Sequence, residues 1–261
     1  MELSGKACVI TGGGSGIGKA TALLCAKEGA SVLVVDIDGK AARKTSQEIT
    51  ATGGKARALR ADVARSSDAR RIAKTAVVAF GRLDVLANIA GIQGAAADVV
   101  EMSEADWDRV IAVNLTSVFL VSKFCIPEMV KHGGGSIINV ASIQSYANLL
   151  KSSAYAATKG AVVSFTRAMA LDFAGRKVRV NAVAPGYVET PLLQKAARDF
   201  GGDPEQTYRR WRSRVPLKRL IQPSEVAQVI VFLASDRSSV VTGSTYLVDG
   251  GILTAQAGWT D

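Results

Sequence analysis

Histidine is almost absent from this 261-residue chain, which carries one, and cysteine is scarce, at three. The thiols Cys8, Cys25 and Cys125 are odd in number, far apart and flanked by apolar residues. They suit reduced core packing and offer neither a disulfide framework nor metal-ligand spacing. The lone His132 precedes three glycines at an expected helix end, where it suits the helix dipole better than a ligand role. No His/Cys/carboxylate cluster stands at ligand spacing, so no metal is expected. GxSxG is missing too, which leaves a serine hydrolase without its nucleophile elbow. The start MELSGKACVITGGG has no charged n-region and apolar h-region, and no apolar run reaches about 18 residues. The expectation is a cytoplasmic protein that does not span a membrane.

A length of 261 residues with 48% hydrophobic content is enough for one large core, and a single domain over 1–261 is expected. The formal charge of +9 raises the question of nucleic acid. Arg198, Arg209, Arg210, Arg212, Arg214, Lys218 and Arg219 crowd one segment, but no recognition motif accompanies them. A solvated basic face is the better account, and a nucleic-acid partner is not expected.

Periodicity gives seven strands: KACVIT (6–11), SVLVVD (31–36), ARALRADV (56–63), LDVLANIAG (83–91), SIINVAS (136–142), VRVNAVAPG (178–186) and STYLVDGG (244–251). Amphipathic helical stretches separate them. Continuous apolar strands alternating with helices predict an α/β fold, a doubly wound parallel sheet in three α/β/α layers. The stretches 107–129 and 154–173 are apolar nearly all round, so they need a partner surface beyond the sheet, and a homo-oligomer is expected. No solenoid repeat is present, and GGDP at 201–204 suits a local turn.

TGGGSGIG (11–18) falls where the first strand ends and a helix begins. Its glycines, Gly12, Gly16 and Gly18 among them, with Ser15 and Ile17, let backbone approach a pyrophosphate at a helix N-terminus. The next strand ends in Asp36, 18 residues beyond Gly18, near the spacing at which a carboxylate meets the adenosine ribose. That carboxylate repels a 2′-phosphate, and neither Ser15 nor Ile37 supplies a compensating cation. NAD(H) is therefore expected over NADP(H), with Lys40 and Arg43 the residues that count against it.

Tyr155 and Lys159 stand four residues apart, on one face of an expected helix. For acid/base work near neutrality the phenol needs its pKa lowered by roughly 3 units, about 4 kcal/mol. A cation at ~4 Å with an effective dielectric of ~20 supplies that much. A YxxxK pair alone also occurs on solvated helix faces. Here Ser142 follows the apolar run SIINVA, at a strand's carboxyl end, where open α/β sheets place their ligands.

With TGGGSGIG, Asp62-Val63, Asn88-Ile89-Ala90-Gly91, Asn114, Ser142, Tyr155 with Lys159, Asn181 and Pro185-Gly186 in this order, the chain resembles the short-chain dehydrogenase/reductase family from Lys6 to Gly251. The resemblance implies a Rossmann domain and a secondary alcohol or ketone substrate. Tyr155 would be the general acid/base. Ser142 would hold the substrate oxygen, and Lys159 would lower the tyrosine pKa and bond the nicotinamide ribose. Asn114 would help hold a water linking Lys159 to solvent, a satisfied packing asparagine being the alternative. Asp62 and Val63 would hold the adenine. Asn88 to Gly91, with Ala90 between, would stabilise the sheet and line the cofactor, although Ile89 departs from the usual asparagine. After Pro185 and Gly186, which otherwise form a plain turn, Val188 backbone and the Thr190 hydroxyl would fix the carboxamide. A tetramer is the assembly the resemblance favours.

The segment Tyr187 to Gln222 is long for a strand-to-helix connection and is expected to act as a substrate lid at about 187–222. Its arginines suggest an anionic substrate group, against the alternative that they face water. Gln93, Gln144, Asn148 and Tyr187, beside Ser142 and Tyr155, are the expected substrate residues. They favour a sugar, polyol or hydroxy acid over a greasier molecule. A 3-oxoacyl thioester reductase using NADPH is the enzymatic alternative. A non-catalytic dinucleotide sensor is the alternative of another class.

Overall fold

The computed structural model describes residues 1–199 and 203–255. Seven parallel strands form one sheet in the order β3-β2-β1-β4-β5-β6-β7. They are β1 (Ala7–Thr11), β2 (Ser31–Asp36), β3 (Lys55–Arg60), β4 (Val85–Asn88), β5 (Gly135–Val140), β6 (Val178–Pro185) and β7 (Thr245–Val248). Central strands are buried throughout because both faces are covered, whereas β3, at one edge, reads KARALR and never becomes fully buried. The predicted strand 83–91 stops at Asn88 because the next two amides leave the sheet. Ile89 and Ala90 donate to the Thr11 hydroxyl at 2.9 and 3.2 Å.

Helices cover both faces. On one side lie α1 (Gly16–Lys27), α2 (Gly39–Ala51) and, from near the C-terminus, α9 (Pro223–Ala234). On the other lie α3 (Ser66–Phe80), α4 (Glu104–Ile111) running on into α5 (Ser117–Lys131), and α6 (Ser153–Ala174). Leu33, Leu86 and Ile137 point into the second layer while Ile10, Ile138 and Ile230 fill the first, all without exposure. Each such side chain contributes about 2 kcal/mol by leaving water, so the two cores set the sheet's register from both faces. Between β6 and α9 the chain makes two further helices, α7 (Pro191–Asp199) and α8 (Pro204–Arg214). Asp203 caps α8 through the Glu205 amide; Gly201 and Gly202 of the expected turn lie outside the described residues.

Two details position the site. Strand order reverses between β1 and β4, whose chains leave in opposite directions and open a crevice at the strands' carboxyl ends. Between α4 and α5 the helix widens into a π turn at Ala112–Thr116 and continues without a break. The helix Glu104–Lys131 spans 28 residues with an 18-residue window of mean hydropathy 1.8. By length and composition it meets the requirement for a membrane span, contrary to the expectation that no run would. The sequence hid it because Asn114, Thr116, Ser117 and Lys123 interrupt the apolar letters. Its inner face carries Val118, Val121, Cys125 and Met129 into the core against the sheet and α3.

Candidate active site at the carboxyl edge of the sheet

The turn from β1 to α1 is held by its own backbone. Gly13 donates to Val35 and Gly14 to the Asp36 carboxylate, both at 2.9 Å. Gly12 has φ +66°, and a Cβ on Gly18 would lie 2.0 Å from the Gly12 carbonyl oxygen, so neither position admits another residue without moving the loop. Asp36 accepts at its other oxygen from the Asp38 amide, 2.9 Å away, and so the carboxylate stands beside the glycine loop at the end of β2. A cleft of about 510 Å³ follows. Gly12, Ser15, Gly16, Ile17 and Gly18 line it together with Asp36, Asp62, Val63, Ala90 and Thr190. The cleft suits an extended dinucleotide: amides at a helix N-terminus for the pyrophosphate, Asp36 for ribose hydroxyls, and the Asp62-Val63 corner for a base.

The cleft opens into a cavity of about 290 Å³, with Ile17, Ile89, Gly91, Thr190 and Leu192 shared between them. Ser142, Tyr155 and Lys159 lie on this second cavity, all buried. Ser142 follows β5 in extended conformation, its hydroxyl accepting from the Gln144 amide at 3.1 Å. Tyr155 and Lys159 project from the first turns of α6, with the ammonium 5.5 Å from the phenol ring centre. One ammonium proton goes to the Val140 carbonyl at 2.7 Å, which fixes Lys159 to the end of the same strand that precedes Ser142.

The electrostatics correct the expectation drawn from the spacing. Burial pushes the Tyr155 phenol above its ordinary value, the Ser142 hydroxyl opposing the shift in part. Burial also draws Lys159 down to about 8. Four residues along a helix bring the two side chains together, with the ammonium over the ring and bonded to the Val140 carbonyl. Desolvation is the first cause of both shifts.

Asn114 lies within the π turn, 1% exposed. Its amide oxygen accepts from Ile92 N and its amide nitrogen donates to Ile92 O, each at 2.8 Å. A longer bond of 3.4 Å reaches Thr158, in α6 between Tyr155 and Lys159. A Cβ built on Gly91 would stand 3.3 Å from Asn114 Oδ1 and 3.6 Å from Lys159 Nζ, so these two groups converge on one backbone position. A π turn inside a helix commonly marks a site where one side chain must be re-aimed.

Asn88, expected to line the cofactor, does not do so with its side chain. Its amide turns into the core, donating to Asn139 Oδ1 at 2.9 Å and to Ser122 at 3.3 Å, and Asn139 in turn donates to Thr166. The reason is strand alternation: Asn88 faces the α5–α6 layer, and the cleft wall begins with Ile89. Thr11 was missed by sequence reasoning. Its hydroxyl donates to Ala87 O and accepts from two amides beyond β4, tying the two strands at the crevice. Pro185 ends β6, and Gly186 just beyond it donates to Val248 O at 3.0 Å. Val188 pairs with Ile221 in an isolated bridge. The Thr190 hydroxyl already donates to Val188 O and accepts from Leu193 N, both at 3.2 Å.

Gln93, Gln144, Asn148 and Tyr187 line the second cavity together with Ser142 and Tyr155. The buried Gln144 Oε1 has no donor among the described residues. Much of the remaining wall is apolar, through Leu149, Leu193, Ala196, Trp211 and Ile252, and this is greasier than the sequence suggested. Tyr187 stacks on Trp211 with ring centres 5.3 Å apart and an interplanar angle of 12°, and Tyr208 meets Trp211 edge-on at 6.0 Å. Trp211 lay hidden in the charged run TYRRWRSR, although Tyr208, Trp211 and Val215 recur at helical spacing and could have revealed an inward face.

The arginines divide. Arg209 pairs with Glu205 at 3.5 Å. Arg219 makes a two-pronged pair with Glu225 at 2.6 and 2.7 Å, holding that carboxyl down to about 2 and helping it cap α9. Arg214 alone of the segment's arginines lines the cavity among the described residues.

A dinucleotide cleft joined to a cavity holding serine, tyrosine and lysine defines a nicotinamide-dependent oxidoreductase acting on CH–OH groups. Comparison with known proteins gives the lineage. A family model described as enoyl-(acyl carrier protein) reductase matches residues 12–253. The 3-oxoacyl-(acyl-carrier-protein) reductase FabG of Thermotoga maritima is 44% identical over 253 residues, 97% of this chain and 100% of that protein. Cyclohexanol dehydrogenase of Acinetobacter sp. strain SE19 is 43% identical over 249 residues, 95% of each chain. A solved chain from Beutenbergia cavernae, assigned as an NAD(P) dependent gluconate 5-dehydrogenase and holding NADP at low occupancy, superposes with a TM-score of 0.90 at 39% identity, covering 97% of this chain and 99% of its own. The chain belongs to the short-chain dehydrogenase/reductase family.

Proposed function

We propose that the protein is an NAD-dependent dehydrogenase of secondary alcohols, with a sugar, polyol or hydroxy acid as substrate class. The observation that carries this is the placement of the Tyr155 phenol and Ser142 hydroxyl on one cavity that continues into the dinucleotide cleft. Ser142 holds the substrate oxygen, and Tyr155 takes its proton in oxidation and returns it in reduction. Lys159, anchored on Val140, has two ammonium protons left for the nicotinamide ribose and for the proton path past Asn114. Bound nicotinamide supplies the hydride acceptor for the carbinol carbon, and it adds a positive charge that favours the phenolate. The Asp36 carboxylate favours NAD, since its position by the glycine loop would confront a 2′-phosphate.

Residues 187–222 form the substrate lid of a single domain, with the Tyr187–Trp211 stack as its inner surface. A cytoplasmic homotetramer is the proposed assembly. The outer faces of α4–α5 and α6 support it, leaving Trp107, Phe119 and Leu171 in solvent. The apolar cavity wall and the 44% identity to a 3-oxoacyl-(acyl-carrier-protein) reductase favour a second function, NADPH-dependent reduction of 3-oxoacyl thioesters.

The test is initial-rate absorbance of NADH or NADPH over a panel of polyols, sugars, hydroxy acids, simple alcohols and 3-oxoacyl thioesters. NAD-dependent oxidation of one polar class, lost in Tyr155→Phe with NADH binding retained, is expected. Turnover confined to thioesters with NADPH would replace the first function by the second. NADH binding without turnover anywhere would point to a dinucleotide sensor.

A further inference from the structure

The substrate cavity has an unbalanced charge. Among the described residues its lining contains two cations, Lys159 and Arg214, and no carboxylate. Lys159 is buried and bonded to Val140, within the reacting end. Arg214 ends α8 on the lid, three residues after Trp211, and its side chain has no ion pair or hydrogen bond to any described residue. Arg214 is exposed, as Arg210 and Arg212 are, but it alone of the three lines the cavity, and Arg209 and Arg219 are held by Glu205 and Glu225. Lys195, on α7, pairs with Asp199.

We infer that Arg214 is a specificity-determining residue that reads a carboxylate on the substrate, at the end remote from the carbinol oxygen held by Ser142 and Tyr155, with the substrate body lying against the Tyr187–Trp211 stack. This rests on the oxidoreductase function proposed above. A guanidinium presents parallel N–H groups that match the two oxygens of a carboxylate. One such group balances a monoanion, whereas a phosphate dianion in the same place would stay half-neutralised. Trp211 and Tyr187 form a stacked apolar wall of the same cavity that Arg214, Ser142 and Tyr155 line, suited to the carbon skeleton of a hydroxy acid. An amine substrate is disfavoured because no carboxylate faces the cavity.

Matched pairs test this: hydroxy acids of increasing length with the hydroxyl at successive carbons, their methyl esters, and the corresponding hydroxyalkyl phosphates. Binding is measured by titration calorimetry to the full chain saturated with NADH, where no oxidation occurs, and turnover separately with NAD. The expected result is at least one acid bound about tenfold more tightly than its ester, the size of a partly exposed charged hydrogen-bonded pair. Arg214→Gln should bring that ratio near one, Arg214→Lys should keep part of it, and Arg212→Gln should leave it unchanged. No acid preference in any pair, or a preference that survives Arg214→Gln, overturns the assignment. So does an equal loss in Arg212→Gln, which would mean the net charge acts rather than Arg214. Phosphates binding more tightly than carboxylates would overturn the choice of anion. Acid-selective binding lost in Arg214→Gln, with no turnover of any alcohol, would sink the dehydrogenase function and leave the anion site standing.

Discussion

The Lys159 ammonium donates to the Val140 carbonyl at 2.7 Å, at the end of β5 and two residues before Ser142. This bond makes the lysine part of the strand's terminus. A cation brought there loses most of its hydration, which is why it titrates near 8 and why the protein carries an electrostatic cost at its own active site.

That cost has a sign that can be measured. With a folded pKa of about 8 against 10.5 unfolded, the unfolded chain binds the extra proton between these values. The penalty from Lys159 is therefore complete below pH 8 and fades as pH rises to 10.5. Its size is about 3 kcal/mol by the linkage relation. Lys159→Met should unfold at higher denaturant than the wild type at pH 7, and the gap should narrow steadily between pH 8 and 10.5. Chemical denaturation of both proteins across that range checks it, and a gap that widens with pH would show the lysine to be net stabilising.

Tyr155 should titrate late in the free protein, because burial raises its pKa. Difference spectra at the phenolate band, wild type against Tyr155→Phe, are expected to place its transition above that of free tyrosine. With the phenolate as the proposed base in oxidation, alcohol turnover should climb with pH from 7 to 9, while ketone reduction, which would need the phenol, should stay level or fall. Parallel profiles in both directions would argue against Tyr155 as the proton carrier.

Asp36 offers a test of cofactor choice. Its oxygens accept from Gly14 and Asp38, so Asp36→Asn keeps the shape and removes the charge. The ratio of kcat/KM with NAD to that with NADP should drop by roughly tenfold or more, a change set by lost repulsion. An unchanged ratio would assign cofactor choice to other residues, Lys40 and Arg43 being nearest in sequence.

Asn114 braces the segment after β4 by answering both backbone groups of Ile92. Asn114→Ala leaves a donor and an acceptor without partners, an expected loss of about 2 to 4 kcal/mol. Turnover should fall more than stability alone explains, since the π turn beside Lys159 loses the side chain that justifies it. Differential scanning calorimetry and kcat below the transition separate the two effects; full activity with normal Tm would assign Asn114 to packing only.

Much of this protein was decided by sequence alone. Continuous apolar runs between amphipathic stretches leave a two-sided parallel sheet as the one way to bury both faces. The glycine loop, Asp36 and the Ser142-Tyr155-Lys159 spacing have local causes, because each depends on a strand end or a helical period that a short segment encodes. What followed from several segments at once was not legible. The direction of the Asn88 amide depends on Asn139 and Ser122, from two other elements. The apolar wall of the cavity depends on Trp211 reaching Tyr187 across 24 positions. Which arginine lines the cavity depends on how α8 packs and on the pairing of Arg209 and Arg219 with Glu205 and Glu225. The Tyr155 and Lys159 pKa values depend on burial, a property of the whole packed molecule, and that alone turned a predicted lowering of the phenol into a rise.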